Sequence, residues 1–395
     1  MVKDLKLRAG WGQTGNQELG GDFRFAPQFG FSANGTTYDI NGTSNTVAAG
    51  FAQTVNANPD IQWETTTTLN IGFDAELAGG FSVAFDWYNR LTTDMLVAVP
   101  APSTGAIASD PVRNIGDMEN VGVDLALGWS KQITSDFNIG VDVNFGTYRN
   151  EITNLGGENV NFNSGNVREF TASRIQEGFP LAFFFGFEID GLTEDGRFNF
   201  VDTDGNGEIT GEDRTQIGSP HPDFTYGINV NLSYKNFDLS IFATGVQGND
   251  LFNANRFFTH FNSFQGNRSV DVLNSFGYPG ATGTPVLPLV SLNAPAREFN
   301  DANTFFIEDG SYFRLKNVQL GYTLPSNILG NGGFSGLKVY VQATNLFTIT
   351  NYTGLDPEIG RSTFFGNLGN DWGIGIDSGF YPVTRTLTFG VKADF

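Results

Sequence analysis

The final stretch of the chain, Thr384 to Phe395, reads TRTLTFGVKADF and limits the possible folds more than any other segment. Leu387, Phe389, Val391, Ala393 and Phe395 fall on one face of an extended strand; Thr386, Thr388, Gly390, Lys392 and Asp394 fall on the other. Strict alternation is the period-2 signature of a β-strand. An apolar face opposite a polar one lets a transmembrane barrel strand meet lipid outside and water inside. A length of about ten residues suits a tilted crossing of the hydrocarbon core. A half-buried strand closing a soluble sandwich would alternate in the same way, so the pattern must recur before it favours a membrane.

It does recur. Leu5, Leu7, Ala9 and Trp11 alternate with Lys6, Arg8 and Gly10. Leu69, Ile71, Phe73, Ala75 and Leu77 lead through Ala78-Gly79-Gly80 into Phe81, Val83, Phe85 and Trp87. Val121, Val123, Leu125, Leu127 and Trp129 precede Phe137, Ile139, Val141, Val143 and Phe145. Phe224, Tyr226, Ile228, Val230, Leu232 and Tyr234 turn at Lys235-Asn236 into Phe237, Leu239, Ile241 and Ala243. Val318, Leu320 and Tyr322 are followed, after a Pro/Gly-rich turn, by Leu337, Val339, Val341 and Ala343. The spacing predicts about ten strands with alternately short and long connections. The short turns fall near 78–80, 131–136, 235–236 and 325–336; the long connections near 12–64, 98–117, 150–223, 247–305 and 348–383. Long structureless loops argue against a compact soluble domain, whereas outer-membrane barrels combine short periplasmic turns with long extracellular loops. Trp11, Trp87, Trp129 and Tyr234 sit at strand ends, as an interfacial belt requires. No repeat of fixed period is present, which disfavours a propeller or solenoid.

Composition agrees. The 39 phenylalanines suit aromatic girdles at a membrane boundary. No apolar run reaches the roughly 18 residues of a transmembrane helix, but barrel strands average out to neutral hydropathy. The net charge of −20 argues against nucleic acid as a partner, because phosphate binding needs clustered Lys and Arg. With no cysteine, disulfides and thiolate metal sites are excluded. The first residues, MVKDLKLRAG, contain no apolar signal-peptide core.

One local motif carries metal chemistry. Asp202-Thr203-Asp204-Gly205-Asn206-Gly207-Glu208-Ile209-Thr210-Gly211-Glu212-Asp213 fits a calcium loop of the form D-x-[DN]-x-[DN]-G with an acidic closing residue. Asp202, Asp204 and Asn206 would offer side-chain oxygens, Glu208 its carbonyl, and Asp213 would stand where a longer bidentate Glu is usual. Gly207 would permit the sharp turn and Ile209 would pack inward. The same residues also suit an Asx-rich surface turn without metal. The flanks do not read as helices, so any calcium (Ca2+) here would be a structural ion in an isolated loop. No catalytic constellation is evident. His221 and His260 lie in different long loops, and His221, between Pro220 and Pro222, reads as part of a rigid turn.

Several segments resemble SusC/RagA-type TonB-linked outer-membrane proteins. They include LKLRAGWGQTGN (5–16), NPDIQWETTTTLNIGFD (58–74), GDMENVGVDLAL (116–127), EGFPLAFFFGFEIDG (177–191) and DGNGEITGEDRTQIGSPHPDFTYGI (204–228). FDLSIFATGVQGNDLFN (237–253), FIEDGSYFRLKNVQLGYTLP (306–325), NLFTITNYTGLDPEI (345–359) and YPVTRTLTFGVKADF (381–395) complete the set, in order along the whole chain. The resemblance implies an all-β, antiparallel transmembrane β-barrel, with this chain supplying about ten strands of a 22-stranded wall. It implies a SusD-like surface lipoprotein as partner, the TonB–ExbB–ExbD complex as energy source, and oligosaccharide or peptide cargo at the bacterial outer membrane. Relative to that family the sequence shows no plug domain, TonB-interacting box or signal peptide. Residues 1–395 are therefore expected to be the C-terminal barrel part of a longer protein, and not an enzyme. TonB would be reached through the missing N-terminal part.

Within that reading Lys6, Arg8, Asn144, Asn229, Asn231 and Gln342 would face the lumen. The loop aromatics Phe364, Phe365, Trp372 and Tyr381 would pack loop on loop, or stack on sugar rings. Phe395, an aromatic ending an alternating strand, resembles the signal for barrel assembly. The alternative from another class is a soluble extracellular carbohydrate-binding or adhesive β-protein stabilised by calcium, in which the apolar faces would be core.

Overall fold

The computed structural model describes residues 1–17, 23–31, 37–38, 48–99, 112–157, 161–168, 170–261, 266–282, 284–291, 293–325, 335–360 and 373–395. Ten long strands form one antiparallel sheet in chain order. They are β1 (Val2–Asn16), β2 (Glu64–Leu77), β3 (Phe81–Ala98), β4 (Val112–Thr134), β5 (Phe137–Asn154), β6 (Phe224–Tyr234), β7 (Phe237–Gln247), β8 (Tyr312–Thr323), β9 (Gly336–Thr350) and β10 (Thr386–Asp394). Every strand expected from alternation is present. Among the described residues β1 and β10 each pair with one neighbour, so the sheet is open at both sides.

The short connections all lie at one end. Ala78–Gly80 joins β2 to β3, and Lys235-Asn236 joins β6 to β7. Gly80 has φ +86° and packs so closely on β4 that a Cβ would meet the Ser130 carbonyl oxygen at 1.9 Å; only glycine fits. The turn expected over 131–136 is shorter. Lys131 continues the ladder opposite Ile139, and β4 runs to Thr134, leaving Ser135-Asp136 as the turn. Pairing with β5 satisfies backbone groups that a longer turn would leave to water.

The outer face carries a continuous apolar band bounded by aromatic rings. Near the short turns Phe81 meets Trp129, Phe137 meets Tyr234 and Phe237 meets Tyr322, with centroids 6.0, 6.2 and 4.7 Å apart. Higher up Phe145 stacks on Phe224 at 5.3 Å, and Tyr226, Phe313 and Phe347 continue the ring. About eight residues separate the rings, roughly 20 Å of height at a strand tilt near 40°. Leu7, Phe389 and Val391 are 76, 75 and 67% exposed on this face. The soluble alternative would need to bury these residues, and nothing among the described residues covers them.

The long connections are not structureless. Those after β5, β7 and β9 fold together above the wall. They contribute a sheet of Asn161–Val167, Phe170–Gln176, Phe183–Gly186 and Thr215–Gly218, and a second of Ile307–Asp309, Asp250–Asn253 and Ile376–Asp377. Their core contains Val167, Phe170, Phe184, Phe198, Phe252, Phe257, Phe261, Phe306 and Ile376. A smaller cluster of Val97, Ile152, Leu155, Phe162, Ile175 and Leu181 ties this body to the tops of β3 and β5. The phenylalanine excess thus has a second use beyond girdles. Above that apolar band the loops turn their apolar side chains inward, where these gain by packing on one another.

Candidate functional site

The site has three parts: the inner face of the wall, the mouth above it, and the acidic turn in the loop body. On the inner face, Arg8 Nη2 lies 2.8 Å from Asp86 and 3.0 Å from Asp74. Arg8 is opposite Gly72, and Gly72 is opposite Asp86, so this contact passes over β2. A Cβ at Gly72 would meet Asp86 Oδ1 at 2.4 Å. Lys338 on β9 reaches Asp238 on β7 at 2.7 Å across Gly321 of β8, where a Cβ would meet the Lys338 stem at 2.4 Å. Two ion pairs therefore skip a strand, each over a glycine. Sequence periodicity gives the face of these residues but not the diagonal reach; a glycine flanked by opposite charges two strands apart is the signal that could have shown it.

The lumen residues expected from alternation share this face. Lys6 and Asn144 line one hollow with Asp4, Asp74 and Asp142. Gln342 donates to Asn317 at 2.7 Å. Asn229 and Asn231 lie in register with Asp142 and Gly140. A larger concavity of about 710 Å³ opens higher up between Asp86, Asp124, Asn144, Thr244, Lys316 and Glu358.

At the mouth a buried Arg314 holds the connection after β9. Its Nε donates to Thr348 at 2.8 Å, Nη2 to Asp356 at 2.6 Å and Nη1 to Glu358 at 2.5 Å. Lys316 donates to the same Glu358 at 2.6 Å. Burial acts to raise the Asp356 pKa, but Arg314 and the amides of Glu358 and Val383 outweigh it and hold it below the usual range. Nearby, the buried Tyr352 hydroxyl donates to Asp377 at 2.6 Å; burial first, then Asp377, raise its pKa far above the ordinary phenol value. His221 sits in a fixed frame, as its flanking prolines suggest. One ring nitrogen lies 2.8 Å from the Leu181 carbonyl, to which it donates, leaving the other, at 3.1 Å, to accept from Tyr148. Burial lowers its pKa, in keeping with this neutral form.

In the acidic turn, carboxylate oxygens of Asp202, Asp204 and Asp213 lie within 4.8 Å of one another. Asp202 accepts from the amides of Gly205 and Gly207 at 2.7 and 2.8 Å. Asn206 donates its side-chain amide to Asp204 at 2.8 Å and accepts from the Glu208 amide at 2.7 Å. Asp213 is buried, and the Thr210 and Thr203 amides donate to its two oxygens at 2.7 and 2.8 Å. The Thr210 amide is the chief cause that holds its pKa low. The turn thus gathers the acidic candidates, and the bonds that gather them are also those of an Asx turn.

Phe395 follows β10 and is 88% exposed, and Tyr381 is exposed in the last connection. Phe364, Phe365 and Trp372 lie outside the described residues. Sequence reading did not find Arg314, because a lone Arg at a strand start has no periodic signature. Its partners, Asp356 and Glu358, stand two residues apart in the TGLDPEI segment, which was the available clue.

Residues 2–346 match the family described as TonB dependent receptor-like, beta-barrel. TonB-dependent receptor P3 of Formosa agariphila is 32% identical over all of this chain and 40% of its own length. TonB-dependent receptor SusC of Bacteroides thetaiotaomicron is 29% identical over all of this chain and 38% of its own. The solved structure of the RagAB peptide transporter superposes with a TM-score of 0.80 and 26% identity, over all of this chain and 41% of that one. The chain spans about two fifths of the length of the curated relatives it matches.

Proposed function

The chain belongs to the TonB-dependent receptor β-barrel family and is of the SusC/RagA type; from that premise we propose that it forms wall and mouth of an energised outer-membrane importer. The cargo is a polar oligomer, an oligosaccharide or a peptide, received together with a SusD-like surface lipoprotein. TonB–ExbB–ExbD supplies the energy through parts of the protein beyond this chain, and the wall belongs to a 22-stranded barrel. The observation that supports this most is the two-sidedness of one sheet. Its outer face is apolar between aromatic rings, its inner face is ionic, and a folded body stands over its mouth.

The acidic turn is read as a structural calcium site, supported by the three converging carboxylates. Phe395 is read as the assembly signal, supported by its place at the end of a strictly alternating strand.

The test is uptake. In cells lacking the full-length protein, or lacking TonB, growth on the oligomer should stop while growth on the monomer continues. The full-length protein, purified from its own membrane, should bring a surface lipoprotein with it. Undiminished oligomer uptake without the protein removes the reading.

A further inference from the structure

Arg174, like Arg297, is a loop-body cation that sits over an aromatic ring. In a chain with 42 acidic and 22 basic side chains, it has no carboxylate partner among the described residues. Its guanidinium carbon lies over Phe185, 3.4 Å from the ring centroid, and its Nε donates to Asn163 Oδ1 at 3.0 Å. Phe185 is itself held edge-on by Phe183, which stacks on Phe179 at 4.6 Å. The side chain is half-buried, and burial and the neighbouring Arg214 both work against its charge. Arg214, in contrast, is paired with Asp301 at 2.5 Å. Both arginines line one hollow of about 340 Å³, together with the planar amides of Gln176 and Gln216; Glu212 is the carboxylate in that lining.

This arrangement holds the guanidinium between Phe185 and Asn163 through its Nε and places Arg174 in the lining of the hollow. The guanidinium fork matches a carboxylate with two parallel hydrogen bonds. The ring beneath and Asn163 beside it set the orientation in advance, which lowers the ordering cost of binding. Glutamine amides add donors and acceptors for hydroxyl or peptide groups next to the acid. We infer that this hollow is a subsite for a carboxylate on a small polar oligomer, with Arg174 as the group that recognises it. The carboxylate comes from a uronate unit or from the C-terminus of a peptide. The inference rests on the import reading and sharpens its cargo to an acidic oligomer.

The test uses the purified full-length protein in detergent and two probe pairs. Trigalacturonate is compared with its methyl ester, and a free-acid tripeptide with its C-terminal amide. The native protein is expected to bind the acid form of one pair at least tenfold more tightly than its neutral form, and which pair does so identifies the source. Arg174→Gln should remove that preference; Arg174→Lys should restore only part of it, because a point charge lacks the fork. Equal binding of acid and neutral forms by the native protein overturns the inference and needs no variant. So does an Arg174→Gln protein, intact by loop proteolysis, that keeps the preference. Energised import of a neutral oligomer by cells carrying Arg174→Gln leaves the import reading standing however binding falls out. Loss of import from native cells lacking TonB tests that reading separately.

Discussion

Arg314 shows what one residue does at the mouth. It is 2% exposed, and two carboxylates, Asp356 and Glu358, converge on it. Arg314→Met would leave the largely buried Asp356 without its cation, a loss of about 3–5 kcal/mol for a broken buried pair. The expected result is faster proteolysis within 351–385, with the strands still folded. An unchanged cleavage pattern would mean that Tyr352 and Asp377 hold this connection unaided. Asp356 has a folded pKa below its unfolded value, so its contribution is present above about pH 4 and fades as pH falls through the lower folded value. Protection of 351–385 should therefore fall in acid and not in mild base. The acidic turn makes a second residue-level prediction. Asp202, Asp204 and Asp213 repel one another without a cation. Calcium at roughly 10⁻⁴–10⁻³ M should slow cleavage of 193–220, and Asp204→Ala should abolish that effect while the barrel persists. If millimolar calcium protects nothing and releases no heat in calorimetry, the Asx-turn reading stands.

At the scale of the element, β9 gives the most direct test of lipid exposure. Val341 is on the apolar face opposite Phe389, and Gln342 is on the inner face bonded to Asn317. Val341→Arg should cost about 2–4 kcal/mol in membrane refolding if that face meets the bilayer midplane. Gln342→Arg should cost far less, since its head stays wet. Equal tolerance at both positions would undo the assignment of faces. For β10, deleting Phe395 from the full-length protein should lower the amount of heat-modifiable barrel in the outer membrane without lowering synthesis; normal assembly would count against a terminal signal. These strands were legible because lipid on one side and water on the other imprint period 2 on the sequence. The upper part of β4 around Val112 to Met118 lacks that imprint: it stands above the lipid band and packs on both faces. The loop core was illegible for a related reason. Phe183-Phe184-Phe185 has no alternation, because it belongs to short strands in which Phe183 and Phe184 are both buried. The acidic turn was legible as a cluster, since its spacing is local, whereas its use of backbone amides was not.

At the scale of the whole molecule, two different solvents shape one chain. The wall turns its apolar side chains outward, and the loop body turns its own inward. The wall also has free edges at β1 and β10 among the described residues. Unpaired strand edges are untenable in hydrocarbon. Residues 1–395 refolded alone in detergent should therefore migrate identically with and without heating. A heat-shifted band would show that these strands close on themselves.

The two ion pairs that pass over Gly72 and Gly321 also act mechanically. Each joins the inner surfaces of strands one place removed from direct pairing. A sheet tied in this way bends toward the tie. The Arg8–Asp86 and Lys338–Asp238 contacts work as short hoops placed near opposite sides of the sheet, between β1 and β3 and between β7 and β9. The bare backbone at each glycine is the groove in which the hoop lies. The wall is expected to relax outward wherever a hoop is cut.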